Sequence, residues 1–150
     1  MTETQKLTFD ELIHHWALEK PDQVALEQDG DALTFSQLEE RSRRIVSMLR
    51  THGLAKGDRI AWLGKNARHY FELFYSAARL GIVMVPIGWR LAAPEIAYIL
   101  GDTGAATAML ATLDNAKAKT DARRDALRGL AAQEHDALKG RLVALLADNS

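Results

Sequence analysis

The sequence predicts an α/β protein: a partial parallel sheet in the order β-α-β-α-β, with a small N-terminal hairpin before it and a helical C-terminal tail after it. Three observations carry this reading. Apolar runs at Ile60–Leu63, Ile82–Ile87 and Ala106–Ala111 are separated by two amphipathic helical patterns. A run with no polar face suits a strand covered on both sides, as in a parallel sheet. Each change of pattern also falls at a residue with a physical reason to sit there.

The clearest unit is Gly57 to Leu91, read as strand, turn, helix, turn, strand. Gly64 ends the first strand. Asn66 is placed to cap the helix Ala67–Leu80, since its side-chain oxygen can accept from a free first-turn N–H. Gly81 stands where a helix enters the left-handed conformation before departing. Tyr70, Phe71, Phe74, Ala77 and Ala78 make the apolar face, which Leu73 and Leu80 widen. Arg68, Glu72 and Arg79 are left as its polar surface.

Upstream, Thr8-Phe9-Asp10-Glu11 and Thr34-Phe35-Ser36-Gln37 are both capping boxes. The first opens a helix over Phe9–Glu19 with Leu12, Ile13, Trp16 and Ala17 on one stripe, stopped by Pro21. The second opens a longer helix using Leu38, Ile45, Met48 and Leu49, with Arg41, Arg43 and Arg44 largely outside the stripe and Gly53 at its end. Between them, Val24 and Leu26 begin a short strand. Asp29-Gly30 is a two-residue hairpin signal, and Ala32-Leu33-Thr34 is the return. Downstream, Pro94 suits the first turn of a helix built on Ile96, Ala97, Ile99 and Leu100. Right-handed crossovers would put both crossover helices on one side unless the strand order reverses.

After Leu113 the chain becomes rich in alanine and charge. Leu127, Ala131, Leu138, Leu142 and Leu145 fall at spacings of three and four, with Glu134 spoiling the stripe, which predicts two or three helical segments and no further strand. Gly129 and Gly140 mark breaks, each costing about 1 kcal/mol in a helix interior. The division expected is therefore 1–112 and 113–150.

Composition excludes several classes of function. The 150 residues are 47% apolar and 26% charged, with net charge −1. No basic excess favours nucleic acid or an anionic membrane surface. The absence of cysteine removes disulfides, thiolate metal sites and a thiol nucleophile. The polar start Met1–Lys6 lacks the apolar core of a secretory signal, and no apolar run approaches a bilayer span. A cytoplasmic protein is expected.

The candidate chemistry is thin. Adjacent His14 and His15 cannot face one ion. Asp10/His14 and Glu11/His15 are single pairs, short of the three or four ligands a metal requires, and read better as solvated helix residues. His52, His69 and His135 have no partners in sequence. The turn Gly64-Lys65-Asn66-Ala67 has one glycine, not the glycine-rich signature of a phosphate loop. It reads as a tight strand-to-helix turn with Lys65 in solvent. Arg90 could bind an acid, but an ion pair or a carbonyl cap is the better reading. Trp16, Trp62 and Trp89 read as core or half-buried anchors. No serine elbow and no evident carboxylate pair is present. No catalytic, cofactor-binding or metal residue is assigned.

Several pieces, in order, resemble one family. They are Pro21-Asp22-Gln23-Val24-Ala25; Leu33-Thr34-Phe35-Ser36-Gln37-Leu38; Gly53-Leu54-Ala55-Lys56-Gly57-Asp58-Arg59-Ile60-Ala61; and Asn66. Ala78-Arg79-Leu80-Gly81-Ile82-Val83-Met84-Val85-Pro86 follows, then Arg90-Leu91 and Pro94-Glu95-Ile96-Ala97-Tyr98-Ile99-Leu100. From about Phe9 to Leu110 the chain resembles the N-terminal part of the AMP-forming acyl-CoA synthetase and adenylate-forming ligase superfamily. Gly88 departs from the family's frequent asparagine, and nothing after Leu113 is matched. The resemblance implies activation of a carboxylic acid with ATP and Mg²⁺ to an acyl-adenylate, then transfer to a thiol, usually of coenzyme A. The family's phosphate loop, its adenine- and Mg²⁺-binding segment, its ribose-binding aspartate and its C-terminal lysine are not among these residues. The expectation is an N-terminal fragment, catalytically incomplete, binding none of those cofactors alone. The alternative is a stand-alone interaction module that associates through its tail or through an unpaired sheet edge.

Overall fold

A computed structural model describes residues 7–105, 108–111 and 143–146. Its elements are α1 (Phe9–Glu19), β1 (Val24–Gln28), β2 (Asp31–Thr34), α2 (Phe35–Thr51), β3 (Arg59–Gly64), α3 (Arg68–Leu80), β4 (Val83–Gly88), α4 (Ala93–Thr103), β5 (Ala108–Ala111) and β6 (Val143–Leu146).

The local signals before β3 behave as their chemistry requires. Thr8 and Thr34 each accept from the backbone N–H three residues on, while Glu11 and Gln37 reach back to the threonine N–H groups at 2.8 and 2.9 Å. β1 and β2 pair antiparallel with Gln28 opposite Asp31, leaving Asp29 and Gly30 as the two-residue turn. Both have positive φ, 53° and 82°, as a type I′ hairpin demands.

β3 and β4 run parallel in unbroken register from Arg59↔Val83 to Gly64↔Gly88. β5 joins the other edge of β3, also parallel, so the larger sheet has the order β4-β3-β5-β6. The order reverses at β3, which sends the two crossover helices to opposite faces. Alternation along β3 serves both. Ile60 and Trp62 join Leu73 and Ala77 of α3, with Leu49 of α2, in one buried cluster. Ala61 and Leu63 join Ile96 and Leu100 of α4 in the other. β3 is the buried inner strand the sequence suggests.

Gly81 closes α3 in the left-handed conformation, φ 67°, and the Ile82 N–H returns to the Ala77 carbonyl at 2.9 Å. A Cβ at Gly81 would also lie 2.9 Å from the Lys56 side chain, so the turn and its neighbour together require glycine.

Four expectations are corrected. Asn66 does not cap α3: the cap is Ala67, which has no side-chain acceptor, because the chain stays extended one residue longer. β4 is not covered on both faces: Val83 is 51% exposed, and among the described residues β4 stands at the end of the sheet rather than within it. Glu72 and Arg79 are not polar surface. Glu72 is 4% exposed and Arg79 half-buried, since α1 and α2 pack over that side of α3. Finally, a strand does follow Leu113: β6 pairs parallel with β5, Leu110 opposite Leu145. Leu145 therefore belongs to the sheet and not to a helical stripe, so the stripe that motivated an interaction module loses its last member. The other positions of that stripe lie outside the described residues.

Candidate functional site

Two groups of polar side chains are candidates. The first lies at the carboxyl ends of the central strands, where ligands of open parallel sheets bind. β3 hands over to Gly64-Lys65-Asn66-Ala67 and then α3, and β4 to Trp89-Arg90-Leu91-Ala92 and then α4. Trp89 is half-buried between two cations: the Lys65 Nζ is 5.3 Å from its ring centroid and the Arg90 guanidinium carbon 4.6 Å. At such a partly exposed site each cation–π contact contributes roughly 0.5–1 kcal/mol. Lys65 is thus in solvent, as its sequence suggests, yet placed over a ring. Arg90 stacks on Trp89 rather than taking up Glu95, which accepts instead from the Ala92 N–H at 2.7 Å and secures the start of α4.

The turn after β3 is also tied to the hairpin. The Gln28 side chain donates to the Asn66 carbonyl at 3.3 Å, and Arg68 pairs with Asp31. A phosphate cradle needs successive N–H groups turned inward by a left-handed residue. Residues 64–67 contain none, because the positive-φ positions lie elsewhere. Among the described residues no group of three or more histidines and carboxylates could hold a metal ion. The turn after β3 is therefore a tight strand-to-helix connection without a nest for phosphate.

The second group is a charge network between α1, α2 and α3. The side chain of Glu39, 8% exposed, accepts from the Arg79 Nη2 at 2.9 and 3.1 Å and from the Arg43 Nε at 2.8 Å, with the His14 Nδ1 at 3.2 Å. Arg79 also pairs with Asp10 through its Nε. Burial by itself would raise the Glu39 pKa, but the hydrogen bonds and charges of Arg79 and Arg43 outweigh it and hold it below the ordinary range. Arg79 shows the mirror case: burial opposes its charge, and Glu39 and Asp10 more than restore it. Beside this network the Glu72 carboxylate is 3.6 Å from the Arg41 Nη1. Its Oε1, the Ser42 Oγ and the Trp62 Nε1 are buried without hydrogen-bond partners among the described residues. Ser76 Oγ bridges the two helices by reaching the Ser42 carbonyl at 2.9 Å.

Asp10/His14 and Glu11/His15, read in sequence as solvated helix residues, turn to other partners, Asp10 to Arg79 and Glu11 to Thr8. His14 turns to Glu39, His15 lies edge-on to Trp16, and the His52 Nδ1 meets the Met48 carbonyl at 2.8 Å. His135 lies outside the described residues. Sequence reasoning missed the network altogether. Its one available signal was the run Glu72, Ser76, Arg79, polar residues spaced four and three on an otherwise apolar helix.

Among the described residues the chain is a doubly wound parallel α/β domain segment with a capped helical layer and no phosphate-cradling loop. Comparison with known proteins identifies that domain. Residues 13–149 match the family described as AMP-binding enzyme, and the chain belongs to it. The match runs beyond Leu113, where the sequence alone suggested no relationship.

The chain is 46% identical over 88 residues to a fatty acid–[acyl-carrier-protein] ligase, ScoC, of Streptomyces coeruleorubidus. That covers 59% of this chain and 17% of ScoC. It is 47% identical over 72 residues to the long-chain-fatty-acid–CoA ligase FadD13 of Mycobacterium tuberculosis, covering 48% of this chain and 14% of FadD13. Among solved structures, a putative long-chain-fatty-acid CoA ligase of Rhodopseudomonas palustris superposes with a TM-score of 0.77 at 30% identity. That covers 99% of this chain and 35% of the ligase. The N-terminal domain of FACL13 of Mycobacterium tuberculosis also gives 0.77, at 30% identity, over 93% and 34% of the two chains. The chain thus spans about a sixth of the length of the curated relatives it matches.

Proposed function

We propose that this chain supplies the N-terminal scaffold of an ATP-dependent acyl ligase, which converts a carboxylic acid to an acyl-adenylate and passes the acyl group to a thiol of coenzyme A or a carrier protein. The observation that carries this is the family match over residues 13–149, set against the small share of each relative that the chain covers. The acid we favour is a fatty acid, since the relatives at 46% and 47% identity are named as fatty-acid ligases.

By itself the chain is catalytically incomplete in this reading: ATP, Mg²⁺ and the thiol are handled by residues beyond it. What residues 7–105 contribute is a rigid sheet with its carboxyl-end loops fixed by the hairpin and by the Trp89 stack. A cytoplasmic location belongs to the proposal, on a cysteine-free composition that suits a reducing compartment. The division near residue 112 enters as a proposed change of role within one domain.

Two measurements test the reading. The isolated chain, offered fatty and aromatic acids, should give no ATP–pyrophosphate exchange above background; measurable exchange would overturn its incompleteness. A chimera carrying residues 13–149 in place of the matching segment of FadD13 should fold and retain ligase activity. A folded but inactive chimera would count against the scaffold role.

A further inference from the structure

We infer that Pro86 closes the outer edge of β4, so that neither a second copy of this chain nor any extended peptide can continue the sheet past that strand. Among the described residues β4 is the terminal strand of the larger sheet, and its sequence Val83-Met84-Val85-Pro86-Ile87-Gly88 carries no charge. An uncharged apolar edge with an open backbone is a template for pairing, which natural sheets blunt with charges, bulges, cover or proline. β4 has neither charge nor bulge: its six pairs with β3 run without a break.

The direction of its backbone groups shows what the proline does. The Val83 N–H donates to the Asp58 carbonyl at 2.8 Å, toward β3. In a parallel strand the N–H and C=O of one residue point the same way and alternate from one residue to the next. Val85 and Ile87 therefore face β3, while Met84, position 86 and Gly88 face outward. Proline stands at the middle of the outward row and removes its central donor without costing a bond to β3. At position 85 or 87 it would have broken the existing ladder. Of its donors the outer edge keeps only the Met84 and Gly88 N–H groups, four residues apart; the Met84 and Pro86 carbonyls stay outward, and the Gly88 carbonyl is taken by the Leu91 N–H at 3.1 Å.

The test compares the 150-residue chain with its Pro86→Ala and Pro86→Val variants by sedimentation over a range of concentrations and by amide hydrogen exchange. Wild-type Met84 and Gly88 amides should exchange freely at every concentration, even if the chain associates elsewhere. Folded variants should associate with rising concentration, and those two amides should slow by about 10-fold or more as they do. Variants that remain as monomeric as the wild type would overturn the inference. So would concentration-dependent protection of Met84 and Gly88 in the wild type, a readout that holds even if a variant fails to fold.

Discussion

On one face of β3, Ile60 and Trp62 meet residues of two helices, α2 and α3; on the other, among the described residues, Ala61 and Leu63 meet α4. The first face combines an apolar cluster with a charge network, and its buried groups include Glu39, Ser42, Glu72 and Ser76. The second cluster is aliphatic, and its helix leaves Tyr98 72% exposed. The difference shows what each kind of contact contributes. Aliphatic packing fixes how far apart the layers sit, and it tolerates a choice of register. Charges with fixed hydrogen-bond directions fix which turn of α1 and α2 meets Arg79. The first face thus carries directional partners that the second cluster, among the described residues, lacks.

The sharpest way to break this comparison is Arg79→Ala. It leaves the buried Glu39 carboxylate short of its chief partner and should cost about 3–5 kcal/mol in urea unfolding. A loss below about 1 kcal/mol would show that the helical layer rests on its apolar contacts alone. Next come matched core truncations, one per face. Leu73, fully buried on α3, packs with residues of α2 and β3 in one cluster, so Leu73→Ala should cost about 4 kcal/mol. Ile96, on α4, packs in the smaller aliphatic cluster, and Ile96→Ala should cost about 2 kcal/mol. Equal losses would erase the distinction between the faces.

A third expectation concerns acid. The folded Glu39 carboxyl has a lowered pKa, so its contribution is complete above the ordinary glutamate range of about 4.3. That contribution is lost as pH falls through the lower folded value. Glu39→Gln should therefore flatten the acid limb of the stability profile below about pH 4.3 relative to wild type. An unchanged acid limb would remove Glu39 from the account. The smallest effects are expected at the helix starts: Thr34→Ala should cost about 1 kcal/mol. Glu95→Ala removes the single side-chain bond to the Ala92 N–H at an exposed α4 start and should cost about 0.5 kcal/mol. Thermal midpoints of the two variants, taken side by side, check the ranking.

The candidate site was less legible than the fold. Both capping boxes, the Asp29-Gly30 turn and the Gly81 termination follow from residues within four positions of one another, where backbone chemistry acts. The Asn66 cap failed because a competing extended residue, Ala67, took the position. Lys65 reads as a solvent residue, because its partner Trp89 is 24 positions away and only the β3–β4 pairing brings the two loops together, while Arg90, read as an ion pair or a carbonyl cap, stacks on its own neighbour. Arg79, Glu39 and Asp10 come from three helices, so no local pattern could link them.

What the sequence determined by itself is local: where helices start and stop, which turn joins β1 to β2, and that β3 is apolar on both sides. Tertiary structure decided everything that depends on neighbours. It made β4 an edge although its residues read like an inner strand, and set the outward row on which Pro86 falls. It buried Glu72 and Arg79 by laying α1 and α2 over α3, and it brought Val143–Leu146 back beside β5. The reason is the same in each case. A residue's conformational preference is carried by its own atoms and the few beside it, whereas its burial, its partner and its free backbone edge belong to segments far away in the chain.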